Sequence, residues 1–559
     1  MKSRPILFIP LALILFFPGV LSKFVLAQPL IERSKLAEDI RQLAYILETA
    51  HADPYVHGGG KVAFHRRLAQ LIKALPEQRM NATDFSEYLS PFVAAVKDGH
   101  TKLFFPPTLT FPRALPLKFS PVEEKLYVAG VYAEEYRQLI GSTLLDLNGM
   151  PFPALLKRQQ ELVGWENLYD SLNWLGSYLE WHRYLCLLLK EKDLKSVKAT
   201  FLMPDGSVRE VHFNLPSNIS PYAKANYNES KIMLPSTERS DFVFDFIDKN
   251  KRIAFLRIDG MSTFRETIEL WKKFGTKNIE ATAANIYKRY QQSNPPGDFA
   301  EVLKRIPSAT ETFAALCREM KKNNSETLIV DLRKNQGGSS LMSQILLYFL
   351  FGKEIMWKAT ALDFGYEITK YSDLFFENFP DITLEDVNKN LGVKIQKNDY
   401  DFSDESEFYE NLKHDTTKLE KRTAQTRAYL KDMTTFWNEY EQGTCAAYYA
   451  PKRILVLSST KTFSSGFSLL LHLYKRGAQI IGMPSAQSPN CFSDQLNFQL
   501  KNSGIKGTVA RKIQVAFPED AEKGEMLAPH YELTYEKLKE YRFDPNSEVL
   551  LALDILAQE

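Results

Sequence analysis

The sequence predicts a mixed α+β protein of several domains, and three observations carry that prediction. Residues 33–106 repeat apolar positions at helical spacing, residues 112–216 begin and end in short β-rich runs, and from about residue 240 apolar strands alternate with helices. A chain of 559 residues has room for such a division and for a sizeable hydrophobic core.

The elements follow in order. Lys2 and Arg4 precede an apolar run from Pro5 to Val20, and small residues close it at Val25-Leu26-Ala27, so residues 1–27 are expected to be a cleaved secretory signal peptide. An uncleaved anchor is the alternative, disfavoured by Pro10 and Pro18 inside the run. Leu36, Ile40, Leu43 and Leu47 line one helix face, Phe64, Leu68, Leu71 and Ile72 a second, and Asn81 or Thr83 can cap a third. This N-terminal helical domain (33–106) ends on Asp98-Gly99-His100-Thr101. In residues 112–216, β-rich runs at Leu126–Val131 and Ser142–Gly149, helical sequence over 153–190, and a hairpin about Pro204-Asp205-Gly206 describe a small β-domain with helical elaboration. The third domain, 240–559, strings together strands 253–258, 327–332, 453–457 and 479–482, with helices 310–322, 340–351 and 467–475 between them. That order implies a sheet with helical crossovers. Residues 353–445 are charged and polar and interrupt the alternation, which reads as an insertion.

The charge balance excludes some classes of function. Seventy basic against 68 acidic residues leave a net charge of +2, which offers no footprint for nucleic acid or an anionic membrane. The four cysteines are too scattered for a zinc site and no histidine pair has ligand spacing, so neither metal nor cofactor is expected. Cys186 and Cys317 lie in apolar helical sequence and read as buried thiols, whereas Cys445 and Cys491 lie in loop-like sequence and could pair.

Three local motifs could carry chemistry. A strand runs into Thr462-Phe463-Ser464-Ser465-Gly466 and then a helix, which exposes a serine at a helix N-terminus where N–H groups face developing negative charge. A plain N-cap serine produces the same pattern. Asp331-Leu332-Arg333 leads to Gly337-Gly338, a glycine pair that lets backbone approach a ligand closely or simply turns strand into helix. His100 is the third; His51 and His57, flanking Asp53-Pro54-Tyr55, are further candidates.

Taken in order along the chain, these motifs resemble the tail-specific (C-terminal-processing) serine peptidases, in particular their tricorn-core-like branch. Gly141-Ser142-Thr143-Leu144-Leu145-Asp146-Leu147-Asn148-Gly149 is similar to that family's PDZ-like module, Ile480-Ile481-Gly482-Met483-Pro484-Ser485 to the strand and loop after its catalytic helix, and Leu527-Ala528-Pro529 to its C-terminal segment. The resemblance implies a PDZ-like β-domain and a ββα-spiral catalytic domain related to Clp and crotonase proteins. It implies Ser464 as nucleophile and the N–H groups of Gly338 (or Gly337) and Ser465 as oxyanion hole. The expected substrate is a peptide or protein tail, and the expected location is periplasmic or extracellular.

The sequence departs from the family in three places. No lysine stands between Gly482 and Asp494, Phe467 replaces the acid usual after the serine, and Gly99 replaces the serine usual before the histidine. A serine needs a base, so His100 is expected to pair with Ser464. Glu522 and Glu525 are candidates for the last member of the relay, and Gln487, Ser488 and Asn490 for lining the site. A peptidase-like protein that has lost efficient catalysis and binds a peptide or apolar ligand is the alternative, and an esterase on the same site a third.

Overall fold

In the computed structural model, the described residues are 29–104, 112–273, 276, 278–353, 355, 365–391, 394–404, 416–442 and 449–558. The signal-peptide reading, residues 1–27, and Cys445 lie outside them. Among the described residues no helix is long and apolar enough to cross a membrane.

Six strands form the central sheet in the order Tyr531–Glu532, Gln479–Gly482, Arg453–Ser458, Thr327–Asp331, Ile253–Ile258, Phe242–Phe246. All neighbours are parallel except Phe242–Phe246, which runs antiparallel to Ile253–Ile258. The strands are apolar on both faces because both faces are covered. Ala254, Leu256, Leu328, Val330, Val456 and Ile480 pack against helices Ala309–Asn323, Leu341–Phe351 and Ser465–Tyr474. The alternate residues Phe255, Ile329, Leu455, Leu457 and Ile481 join a core shared with the C-terminal helix Ser547–Gln558 and a second sheet.

That second sheet is antiparallel and comprises Leu117–Val122, Lys125–Val131, Thr143–Leu147, Ser196–Leu202 and Val208–Asn214, with Met150–Pro151 at its side. The helical sequence over 153–190 resolves into helices Phe152–Gln160, Leu168–Glu180 and His182–Leu189.

A third sheet ties the N-terminal helices to the rest. Its long hairpin, Asn490–Gln499 with Lys506–Val515, pairs with Lys102–Phe104 and with Tyr366–Lys370, which in turn pairs with Tyr400–Asp404. Part of the stretch read as an insertion is therefore built into this sheet. Helices Arg33–Ala50, Gly60–Lys73 and Ala82–Ala94, the last capped by Asn81, bury Leu36, Leu43, Leu47, Phe85 and Phe92 against Leu496, Phe498 and Val509 of the hairpin. This packing holds the Asp98–Thr101 segment against the hairpin. Thr508 Oγ1 donates to the His100 carbonyl at 2.9 Å and Ala510 N–H to Thr101 Oγ1 at 3.1 Å.

Candidate active site

Ser464 sits between strand Arg453–Ser458 and helix Ser465–Tyr474, at φ 52° and ψ −130°. A non-glycine residue in that region is strained and persists only where its surroundings hold it. The side chain makes no N-cap hydrogen bond, which removes the capping explanation for this serine. Two loops share the strain. Ser459 Oγ donates to the Arg333 carbonyl (2.6 Å), Thr462 Oγ1 to that of Leu332 (2.9 Å), Phe463 N–H to that of Asn335 (3.0 Å) and Ser465 Oγ to that of Gly338 (2.7 Å). The Ser464 N–H donates to Gln487 Oε1 at 2.5 Å.

The glycine pair is required by this closeness. A Cβ on Gly337 would lie 2.6 Å from Ser464 Cβ, and one on Gly338 2.5 Å from the Met261 carbonyl carbon; their φ values are 99° and 134°. Their N–H groups differ. That of Gly337 donates to Asn335 Oδ1 at 2.9 Å, so it is already engaged. Those of Gly338 and Ser465 have no hydrogen bond among the described residues.

His100 is buried, 3 % exposed, and its ring stacks on Phe463, the residue before Ser464, with centroids 4.7 Å apart. Its Nδ1 stands 2.9 Å from Glu166 Oε1. Glu166 Oε2 accepts the Ser488 N–H at 3.0 Å, and Asn167 Nδ2 donates to the Ser485 carbonyl at 3.0 Å, so the Glu166 loop is sewn to the loop after strand Gln479–Gly482. No hydrogen bond joins Ser464 Oγ to His100 among the described residues. In ligand-free sites such contacts are often long.

The carboxylate beside His100 is not one of those the sequence suggested. Glu522 and Glu525 lie exposed on the short helix Ala521–Glu525, while Glu166 comes from the loop ahead of helix Leu168–Glu180. Gly99 makes room for it: a Cβ there would fall 2.8 Å from Glu166 Cγ and 2.9 Å from Oε1. The glycine that replaces the family's serine thus admits a carboxylate directly to the imidazole.

Behind His100 lies a second buried layer. Asp98 Oδ1 accepts the His100 N–H at 2.7 Å, and Oδ2 accepts from His51 Nε2 at 3.1 Å and from Thr101 Oγ1. Asp53 N–H donates to His51 Nδ1 at 3.0 Å, which leaves the proton of His51 on Nε2. Burial works to raise the Asp98 carboxyl, yet His51, His100 and Thr101 hold it at about 2. Burial pushes Glu166 up against the pull of His100, and pushes Asp170, which accepts the Glu166 N–H, up to about 7. Asp98, His100 and Glu166 have donor atoms within 4.8 Å of one another, a spacing that can hold a metal ion. Each of their carboxylate oxygens already faces a hydrogen-bond donor from the protein.

The other candidates separate. Gln487 and Ser488 bond directly to the Ser464 and Glu166 segments. Asn490 instead exchanges two hydrogen bonds with the backbone of Phe517, at 3.1 and 3.0 Å. His57 packs edge-on to Phe492, and burial lowers its pKa. Cys491 is a free thiol that accepts from Gln487 Nε2 at 3.3 Å, and burial pushes it well up; Cys186 and Cys317 are free and buried.

Residues 297–516, which include the glycine loop and Ser464, match the model of Peptidase family S41. Over these residues, which are less than half of the chain, the sequence is similar to that family of serine-type peptidases. His100 and Glu166 both precede the matched region. Among solved structures, mature CPAF is 15% identical, with a TM-score of 0.53 over 93% of this chain and 98% of that one. Mature CPAF complexed with lactacystin is 16% identical, with a TM-score of 0.54 over 94% and 99%. At such identities the likeness is one of fold. No curated protein matches the chain.

Proposed function

We propose that this chain is a peptidase of family S41 that hydrolyses peptide bonds with Ser464 as nucleophile, His100 as general base and Glu166 as the carboxylate that orients His100. The observation that carries the reading is the 2.9 Å contact between His100 Nδ1 and Glu166, on a ring stacked against the residue before a strained Ser464. An ionised Glu166 accepts from Nδ1–H, which leaves the Nε2 lone pair to take the Ser464 proton. Attack on the scissile carbonyl forms a tetrahedral oxyanion, and the unengaged N–H groups of Gly338 and Ser465 are the donors for it. His100 then returns the proton to the leaving amine, and water cleaves the acyl-enzyme by the same route.

The finer parts of the reading are that the antiparallel sheet of residues 117–214 is a PDZ-like module receiving a substrate tail by strand addition, and that the central sheet and its helices form a ββα-spiral. The N-terminal 27 residues support export to a periplasmic or extracellular location. Lactacystin, held by mature CPAF, is a reasonable first inhibitor to try.

The test is covalent labelling of the mature chain with a fluorophosphonate, followed by peptide mapping. Modification of Ser464, lost in Ser464→Ala and slowed at least a hundredfold in His100→Ala, is the expected result. Labelling elsewhere, or unaffected by His100→Ala, overturns the assignment.

A further inference from the structure

Each loop that frames Ser464 carries a lysine three residues ahead of its functional residue: Lys334 before Gly337, and Lys461 before Ser464. The hydrogen bonds from Ser459 to Arg333, Thr462 to Leu332 and Phe463 to Asn335 hold these two segments side by side. Neither ammonium has an acidic partner among the described residues, and the reason lies in their surroundings. Near Lys334, Arg257 pairs with Asp259 through two bonds of 2.9 Å, and Arg333 pairs with Asp331 through two of 2.8 Å and with Glu548 at 2.7 Å. Near Lys461 the charged groups are Lys118, Glu180 and Lys334. Glu180 is already taken: Oε1 by Lys118 Nζ at 2.5 Å, and Oε2 by Tyr132 Oη at 2.8 Å and Arg113 Nη1 at 3.5 Å. Lys102 adds a further cation, its Nζ 5.4 Å from the Phe463 ring centroid.

Like charges carried by the two segments that frame a nucleophile, with their neighbouring acids saturated, cost free energy that a bound anion relieves. Burial, and then Lys118 and Lys334 against the pull of Glu180, depress the Lys461 ammonium to about 8.

We propose that Lys461 and Lys334, flanked by Lys118, form a carboxylate-binding subsite that selects peptide substrates by an acidic side chain near the scissile bond. This rests on Ser464 as nucleophile. Three residues of chain span at most about 10 Å, and an extended peptide advances about 3.3 Å per residue, so the recognised carboxylate lies within about three residues of the cut. Charge-assisted hydrogen bonds attract it, and the same cations repel basic residues at that position.

The test uses a tryptic peptide pool from a denatured proteome, offered in three forms: untreated, amidated at the C-termini only, and amidated at every carboxyl. Cleavage sites are mapped by mass spectrometry for the mature chain and for Lys461→Gln and Lys334→Gln, each first checked for a native thermal midpoint. The expected result is about tenfold enrichment of carboxylates within three residues of the cut, abolished by full amidation and reduced several-fold in either variant. Persistence after C-terminal amidation assigns the preference to Asp and Glu side chains and supports the subsite; loss on C-terminal amidation alone refutes it. Cleavage without carboxylate preference, while fluorophosphonate still labels Ser464, overturns the subsite and leaves the nucleophile standing. If nothing is cleaved or labelled, the nucleophile reading fails, and retention of the pool on immobilised Ser464→Ala protein decides the subsite. Acidic peptides retained there and released by adding Lys461→Gln support it, and retention without regard to carboxylates refutes it.

Discussion

Replacing Glu166 by Gln removes one charge and almost no volume, and the hydrogen bonds around it dictate the consequence. Oε2 of Glu166 accepts the Ser488 N–H at 3.0 Å, while Oε1 faces His100 Nδ1 at 2.9 Å. A glutamine amide has one oxygen and one NH2, and the Ser488 N–H claims the oxygen because two facing donors repel. The NH2 then points at His100 and donates to Nδ1. This forces the imidazole proton onto Nε2, the atom that must accept from Ser464. A triad base locked in the wrong tautomer loses about 10⁴ in kcat, or about 5.5 kcal/mol of transition-state stabilisation. The assay is hydrolysis of a denatured protein substrate, with the fluorophosphonate inactivation rate measured alongside, against wild type and Ser464→Ala. Glu166→Gln should fall at least a thousandfold in both readouts with an unchanged thermal midpoint. Activity within tenfold of wild type would refute the argument, because it would show that Glu166 does not set the tautomer of His100.

Other outcomes follow from the same packing. Gly99→Ala places a Cβ 2.8 Å from Glu166 Cγ, so the carboxylate must withdraw; a loss of activity of at least tenfold is expected, checked by the same two rates. Asp98→Asn removes a carboxyl held at about 2 against 3.8 when unfolded, so about 2 kcal/mol of stability is lost at neutral pH. That stability is present above about pH 4 and fades as pH falls through about 2, so urea unfolding of wild type and variant should converge in acid. Asp170 has the opposite sign: raised from 3.8 to about 7, it favours the folded chain below about pH 4, and this is lost as pH rises through about 7. Asp170→Asn should therefore stabilise the protein more at pH 8 than at pH 5, and equal effects at the two pH values would contradict the assignment.

Much of the central sheet could be read from the sequence because its signals are local. Strands Ile253–Ile258 and Gln479–Gly482 fall where apolar β-branched runs between turn residues put them, and helix Leu341–Phe351 starts one residue from its expected position. The sites of disagreement are those decided by long-range pairing. Tyr366–Lys370 and Tyr400–Asp404 lie in charged sequence that reads as an insertion, and they become strands through pairing with one another and with Lys506–Val515, itself part of a hairpin far along the chain. Lys370 is buried there because its Nζ donates to the carbonyls of Glu48 and His51, at 2.9 and 3.1 Å.

Glu166 is the harder case, and it shows what a motif search lacks. Nothing in Gly164-Trp165-Glu166-Asn167 marks the glutamate as functional; Asn167 caps the next helix through the N–H groups of Tyr169 and Asp170, and Glu166 reads as the residue before a cap. The signal was indirect and lay elsewhere, at Gly99. A missing serine suggests an incomplete relay when only the order of motifs is considered. With the packing in view, the same glycine is the space into which a carboxylate fits, and Gly164 completes the fit, since a Cβ there would come 2.4 Å from the Asp98 carbonyl oxygen. Two glycines, one on each of two segments that meet only in the folded chain, are what bring Glu166 against His100. The absence of a family side chain at Gly99 is therefore better read as a change in where the carboxylate comes from than as a loss of the relay.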